Sequence, residues 1–164
     1  MLHDHFGASA ANLKVLEEGE CREIFVLVRD PRAAAASCVN FMFRNHPDAS
    51  ARYLEACIME HALAGYYPWL AEWITAAQNS ALRVRWIKSA DVRANMVSTI
   101  TSILEHLQPL YPPVVDLLNS VKEVKANFVA GLDDAWRSSV SPSNQARLWE
   151  AIPPGAIELL DLHQ

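Results

Sequence analysis

Apolar and polar positions recur with different periods along the chain, and these periods predict its elements. An uninterrupted apolar run from Ile24 to Val28 is typical of a strand that is buried on both faces of a parallel sheet. Alternating apolar and basic residues from Leu82 to Ile87 predict a second strand. Apolar residues at helical spacing predict helices over about 12–18, 31–43, 50–77, 89–107, 114–124, 142–150 and 155–162. Residues 128–140 have the character of a loop.

The first strand leads directly into a predicted helix. Asp30 is a suitable N-cap, and Pro31 at the first helical position has a backbone angle already set for a helix. Arg29 therefore stands at the carboxyl end of a strand and beside a helix N-terminus. Ligands of open α/β sheets bind at that end, and an arginine there is well placed for a phosphate.

Two strands among many helices are few for a complete sheet. Other strands are hidden in segments that the periodicity assigns to helices, or the chain lacks part of its sheet. Length favours a single domain over residues 1–164. The fourth predicted element, a long helix, is capped by Asp48 or Ser50 and is kinked or restarted at Pro68. The aromatic residues of this helix either form an interface or pack in the core, and we favour the core. They are Tyr66, Tyr67, Trp69 and Trp73.

Composition narrows the classes of partner. Fourteen basic and nineteen acidic residues give a net charge of −5, which argues against nucleic acid and anionic membranes as partners. Three cysteines without CxxC spacing indicate free thiols in a reducing compartment, so we expect a cytoplasmic protein. The six histidines show no ligand spacing beyond the pair at positions 3 and 5, and no metal is expected.

The segment from Arg29 to Ser37 resembles the RDPRD…S motif of the PAPS-dependent sulfotransferases, where PAPS is 3′-phosphoadenosine 5′-phosphosulfate. In that family the arginine and a serine eight residues later hold the 3′-phosphate, and Arg29 and Ser37 have this spacing. The resemblance implies an α/β chain with a partial P-loop-type sulfotransferase fold, a parallel sheet of few strands and a predominantly helical C-terminal part. Arg32 is expected to be a surface or capping residue.

The N-terminus carries a second part of the resemblance. His3, Asp4 and Phe6 are similar to the bacterial KTHDAF segment, whose histidine is the catalytic base. The resemblance implies that His3 is the base, with His5 as the alternative. The family's glycine- and threonine-containing loop, which binds the 5′-phosphosulfate, has no counterpart in this sequence. We therefore expect a sulfotransferase that is truncated at its N-terminus.

A third part lies in the sequence VAGLDDAWR, which resembles the RKGxxGDW loop of the family. Only Gly131 carries over as a binding residue, through its backbone N–H to the 3′-phosphate. Valine and alanine replace the arginine and lysine of the motif, and two aspartates bring negative charge close to the expected phosphate. Trp136 is expected to be a packing anchor.

Together these residues imply in-line transfer of a sulfuryl group from PAPS, as co-substrate, to a hydroxyl or amine of an unidentified small molecule or glycan. Without the phosphosulfate loop the largest electrostatic contribution to catalysis is missing. The alternative is therefore a non-catalytic remnant or protein-binding module of the same fold. A partner, including a second copy of the chain, would complete its sheet. Another phosphate-binding α/β enzyme, such as a P-loop kinase, explains less because it needs the same loop.

Overall fold

The computed structural model describes residues 6–107 and 134–163, which fall into two compact units. The first unit contains residues 6–86 and 134–163, and the described part of the second contains residues 87–107. The prediction of a single domain stays a prediction. Among the described helices, none combines the length and the apolar character that crossing a lipid bilayer requires.

The described residues form a mixed α/β structure that is mostly helical, which confirms the coarse fold class. In chain order the elements are α1 (Ala10–Glu18), β1 (Glu23–Val28), α2 (Pro31–Met42), α3 (Ala51–Glu60), a π-helical segment (His61–Tyr66), α4 (Tyr67–Asn79), β2 (Arg83–Lys88), α5 (Ser89–Ala94), α6 (Met96–Leu107), a 3₁₀ turn (Ala135–Ser139), α7 (Pro142–Glu150) and α8 (Ala156–Leu160).

The sheet of the described residues is small and parallel, with β1 beside β2. Val26 and Val28 of β1 are buried, whereas Leu27 between them is 59% exposed. The prediction that β1 is buried on both faces is therefore wrong. Successive side chains of a strand point to opposite faces: Val26 and Val28 are buried on one face, whereas on the other Phe25 is partly buried and Leu27 is exposed. On the face that Leu27 shares with Glu23, the Glu23 carboxylate pairs with the guanidinium of Arg85.

The core of the first unit lies between α2 and the elements that pack on it. α2 contacts α3, the π-helical segment and the 3₁₀ turn, while α8 contacts α4. α2 begins as predicted, because the Asp30 carboxylate accepts the backbone N–H of Arg32 at 2.9 Å and Pro31 occupies the first turn. Ala33, Ala35 and Ala36 of α2 are buried, which lets neighbouring helices approach closely. The largest fully buried side chains are Trp73, Ile58, Leu70, Leu148, Val28, Val39 and Pro31.

The long helix predicted over about 50–77 is present as three consecutive segments. Of its two candidate caps, Ser50 is the one used, since its hydroxyl accepts the backbone N–H of Tyr53 at 3.2 Å. α3 then passes into the π-helical segment, and α4 starts with Pro68 in its first turn. The restart expected at Pro68 is confirmed. Tyr67 and Trp73 are almost fully buried, which confirms their predicted place in the core.

The second unit contains a correction to the predicted helix over 89–107. Two helices, α5 and α6, replace the single helix, because Asn95 between them has an extended backbone. The side chain of Asn95 accepts the N–H of Ser98 at 3.0 Å and so satisfies an otherwise unpaired donor at the start of α6. The helix predicted over 114–124 lies outside the described residues.

Candidate functional site

The strand-to-helix turn places Arg29 at the carboxyl end of β1, as the sequence predicts. β1 ends at Val28, and α2 begins at Pro31, so the turn consists of Arg29 and Asp30 alone. Arg29 is half-buried and has an interaction partner in the structure. A guanidinium at the end of a parallel strand, next to the amino end of a twelve-residue helix, has the chemistry that binds phosphate.

Ser37 lies farther along α2, on its exposed side. It lies six positions after Pro31, which corresponds to about 9 Å along the helix axis. That Arg29 and Ser37 hold one ligand together stays a prediction.

Arg32 is neither a surface nor a capping residue, so that prediction is wrong. It is 3% exposed, and its guanidinium forms a bidentate ion pair with Asp30, at 3.0 Å from Nε to Oδ1 and 2.8 Å from Nη2 to Oδ2. The guanidinium carbon lies 4.8 Å from the ring centre of Trp136 and 5.3 Å from that of Trp149. Burial of a charge requires such pairing, and the two rings come from the distant C-terminal segment. The ion pair orients Asp30 and thereby fixes the turn that carries Arg29.

The π-helical segment contributes Tyr66, a residue that the sequence analysis assigned to the core or an interface and not to the phosphate site. Burial raises the pKa of Tyr66, the thiol of Cys38 raises it further, and the positive charge of Arg29 acts in the opposite direction. Tyr66 therefore stands within electrostatic reach of Arg29. π-helical turns inside α-helices occur frequently at functional sites, because they displace one side chain from the regular register. The sequence holds no signal for such a turn beyond Gly65 and Pro68.

The thiol beside Ser37 is not activated. Burial raises the pKa of Cys38, which keeps the thiol protonated at neutral pH. All three cysteines of the chain are free thiols. This agrees with the sequence, in which no local feature marks Cys38 as a nucleophile.

Tyr67, the next residue along the chain, links two helices. Its hydroxyl donates to the backbone carbonyl of Leu148 at 2.8 Å, which joins α4 to α7. Burial raises the pKa of Tyr67 far above its ordinary value, the charge of Arg32 opposes this rise, and that of Asp30 adds to it. The phenol is therefore a hydrogen-bond donor at every physiological pH.

The other residues that the resemblance assigns to the site are incompletely described. His3 and Gly131 lie outside the described residues, as does the alternative base His5. Trp136 is 2% exposed, which confirms it as a packing anchor. Asp134 is exposed, and its carboxylate accepts from Nε of Arg137 at 3.3 Å.

The described residues contain no group of three or more histidine, cysteine, aspartate or glutamate side chains that could hold a metal ion. Comparison with known proteins adds no assignment: no family model matches the chain, and neither curated proteins nor solved structures gave a match.

Proposed function

We propose that the β1–α2 turn is a phosphate-binding site for a 3′-phosphorylated adenine nucleotide, and that the chain is a sulfotransferase-like domain that uses PAPS. The observation that carries the proposal is the position of Arg29 between the end of a parallel strand and the amino end of α2. This is the position that the RDPRD…S resemblance requires of its phosphate-binding arginine.

Electrostatics support a doubly charged phosphate at this turn. Asp30 is paired with Arg32, so the negative charge of Asp30 is compensated within the turn. The positive end of the α2 dipole favours an anion beside the turn, although the N–H groups of Arg32 and Ala34 are bonded to Asp30. Ser37 would add a neutral hydrogen bond, which contributes less than the charge-assisted contact of Arg29.

The chemical step belongs to the same proposal and rests on the family resemblance. His3 would accept the proton of the acceptor hydroxyl while the sulfuryl group passes from PAPS to the acceptor oxygen, and Gly131 would donate its backbone N–H to the 3′-phosphate. Transfer also requires a segment that binds the 5′-phosphosulfate. The acceptor is a small molecule or a glycan. The proposal also gives the protein a cytoplasmic location, which the three free thiols favour.

The second candidate is a non-catalytic, protein-binding module of the same fold. Leu27, exposed at 59% on the outer face of β1, favours it, because a partner that covered this face would bury apolar surface. The two candidates differ in one property, since only the first requires the turn to bind the nucleotide.

Calorimetric titration with 3′-phosphoadenosine 5′-phosphate, the desulfated product, tests the proposal. Arg29→Ala should weaken binding by about 1.5–3 kcal/mol, and Ser37→Ala by about 0.5–1.5 kcal/mol. Arg52→Ala is the matched control, because Arg52 is an exposed arginine in the first turn of α3. Saturable binding that Arg29→Ala weakens and Arg52→Ala does not would support the proposal. If the folded chain shows no binding, or binding indifferent to Arg29, the nucleotide site is refuted and the protein-binding module remains.

A further inference from the structure

The C-terminal part of the first unit, residues 134–163, covers the buried guanidinium that anchors the β1–α2 turn, and we call this part the strap. The rings of Trp136 and Trp149 in the strap have their centres 4.8 and 5.3 Å from the guanidinium carbon of Arg32. The backbone carbonyl of His163, also in the strap, lies 3.4 Å from Nη2. Arg32 is only 3% exposed, so its burial depends on the strap staying in place.

A single carboxylate of α3 holds the start of α7 within the strap. Oε1 of Glu55 accepts the backbone N–H of Ser141 at 2.7 Å, the hydroxyl of Ser141 at 2.5 Å and the side-chain nitrogen of Asn144 at 2.8 Å. In a capping box, a glutamate at the third helical position accepts the N–H of the residue that precedes the helix. In α7 that position holds Asn144, and Glu55, 86 residues before Ser141, takes the role of the glutamate.

The other attachments of the strap do not change their charge in acid. Tyr67 donates its hydroxyl to the carbonyl of Leu148 at 2.8 Å, and both this phenol and the guanidinium of Arg32 keep their protons below neutral pH. Apolar side chains of the strap are buried and do not titrate: Trp136, Val140, Leu148, Ile152 and Ala156. Among these attachments the contact of Glu55 is therefore the one that protonation alters.

Hydrogen bonds, and not an ion pair, hold the charge of Glu55. The hydroxyl of Ser141, the amide of Asn144 and the N–H of Ser141 lower the pKa of Glu55, while burial acts in the opposite direction. Its own helix and the elements packed against it carry these charged or acid-titrating side chains: Arg32, Arg52, Glu60, His61, Asp134, Arg137, Arg147 and Glu150. None of them forms an ion pair with Glu55 within residues 6–107 and 134–163.

We propose that the ionised carboxylate of Glu55 is the latch of the strap, and that neutralising it loosens the strap and uncovers Arg32. Hydrogen bonds to a charged acceptor are stronger than those to a neutral one, so a neutral Glu55 holds the start of α7 less firmly. Segments with few anchors open locally while the remainder of a domain stays folded. Because Arg32 fixes Asp30, opening of the strap weakens the β1–α2 turn, whatever ligand the turn binds.

Hydrogen exchange of the full chain under native conditions, followed by mass spectrometry, tests the latch. Glu55→Gln keeps the shape of the side chain and removes its charge, as protonation does. At neutral pH it should raise the exchange of the α7 amides about threefold or more, because a hydrogen bond to a charged group is the stronger kind. Glu60→Gln is the matched control, since Glu60 is exposed on the same helix, and it should leave α7 unchanged.

A pH series separates Glu55 from the other acids of the chain. The folded state lowers the pKa of Glu55, so the stability that its charge contributes is complete at neutral pH and is lost as the pH falls through the lowered value. After correction for the intrinsic exchange rate, the difference between the wild-type chain and Glu55→Gln should therefore disappear by about pH 3. Titration of Asp30 and of other carboxylates occurs in both chains and cancels in this comparison.

Modification by phenylglyoxal, which reacts with accessible guanidinium groups, reports whether the strap covers Arg32. At neutral pH, Arg32 should react about threefold or more faster in Glu55→Gln than in the wild-type chain, in step with the exchange of α7. The exposed Arg52 should react equally in both and serves as the internal reference.

Three outcomes would overturn the proposal. In the first, Glu55→Gln and Glu60→Gln exchange alike in α7, which would mean that the charge of Glu55 does not hold this helix. In the second, the difference between the wild-type chain and Glu55→Gln persists at about pH 3, so that it does not arise from the charge. In the third, α7 opens more often and Arg32 reacts no faster, which would show that the strap does not control the cover of Arg32.

Discussion

The ion pair between Arg32 and Asp30 should be the most sensitive single point of the first unit. Both side chains are buried, with 4% and 10% of their surfaces exposed. Removing one partner of a buried pair typically costs about 3–5 kcal/mol, because the other charge is left uncompensated. Asp30→Asn removes the charge and retains a side chain that caps a helix as well as aspartate does. We therefore expect Asp30→Asn to lower the free energy of unfolding by about 3 kcal/mol or more.

Asp30→Ala should cost more, because it also removes the cap of α2, which contributes about 1 kcal/mol. The expected loss of about 4 kcal/mol or more is a large part of the 5–15 kcal/mol that stabilises a typical domain. The double variant Asp30→Asn/Arg32→Met removes both charges and leaves an apolar side chain between the two indole rings. It should therefore recover at least about 2 kcal/mol relative to Asp30→Asn, even though the cation–π contacts are lost.

Equilibrium urea unfolding, followed by circular dichroism and tryptophan fluorescence, measures these differences. Asp48→Asn is the matched control, since Asp48 is exposed between α2 and α3, and it should change stability by less than about 0.5 kcal/mol. The reasoning would be refuted if Asp30→Asn cost less than about 1 kcal/mol, or if the double variant were no more stable than Asp30→Asn.

Five other variants test three separate features. Tyr67→Phe leaves the carbonyl of Leu148 without its donor and should cost about 1–3 kcal/mol in urea unfolding. Because the folded state raises the pKa of Tyr67, the stability that its proton contributes should be complete below pH 10 and decline as the pH rises further. Unfolding curves that are independent of pH up to 11 would contradict this. Ser50→Ala removes the cap of α3 and should cost about 1 kcal/mol, whereas Ser50→Gly should cost only a few tenths; equal losses would argue against the cap. Leu27→Lys should lower the free energy of unfolding by less than about 1 kcal/mol, because this side chain is exposed, whereas Val28→Lys should prevent folding. A severe loss of stability from Leu27→Lys would show that the outer face of β1 is covered.

The elements that depend on neighbouring residues were predictable from the sequence. Asp30 and Pro31 start α2 by a local hydrogen bond and a preset backbone angle, and the prediction places that start correctly. The helix over 142–150 has the predicted bounds in the structure, as α7. Both strands occur within one residue of their predicted limits. The position of Arg29 in the turn was predictable for the same reason, since it follows from where β1 ends.

Elements that depend on competing local interactions were predicted less well. Periodicity gives a single helix over 89–107, but the side chain of Asn95 satisfies a backbone donor and allows two helices to meet there. The π-helical segment has no periodicity of its own, because one inserted residue in a turn leaves the apolar spacing on both sides nearly unchanged. The effect of the Arg29 charge on the pKa of Tyr66 was likewise not visible in the sequence.

The sequence by itself determined where strands and helices form, because caps, prolines and apolar periods act over a few residues. The tertiary structure decided the burial of those side chains whose environment is set by distant segments. The sequence predicts that Arg32 is exposed, yet Arg32 is buried and its partners include the carbonyl of His163, which is 131 residues away along the chain. Leu27 belongs to an apolar run, yet it is exposed, because burial depends on what packs against a face and not on the residue itself. Charge pairing and covering by distant segments are long-range properties, and they decided how Arg32 anchors the turn.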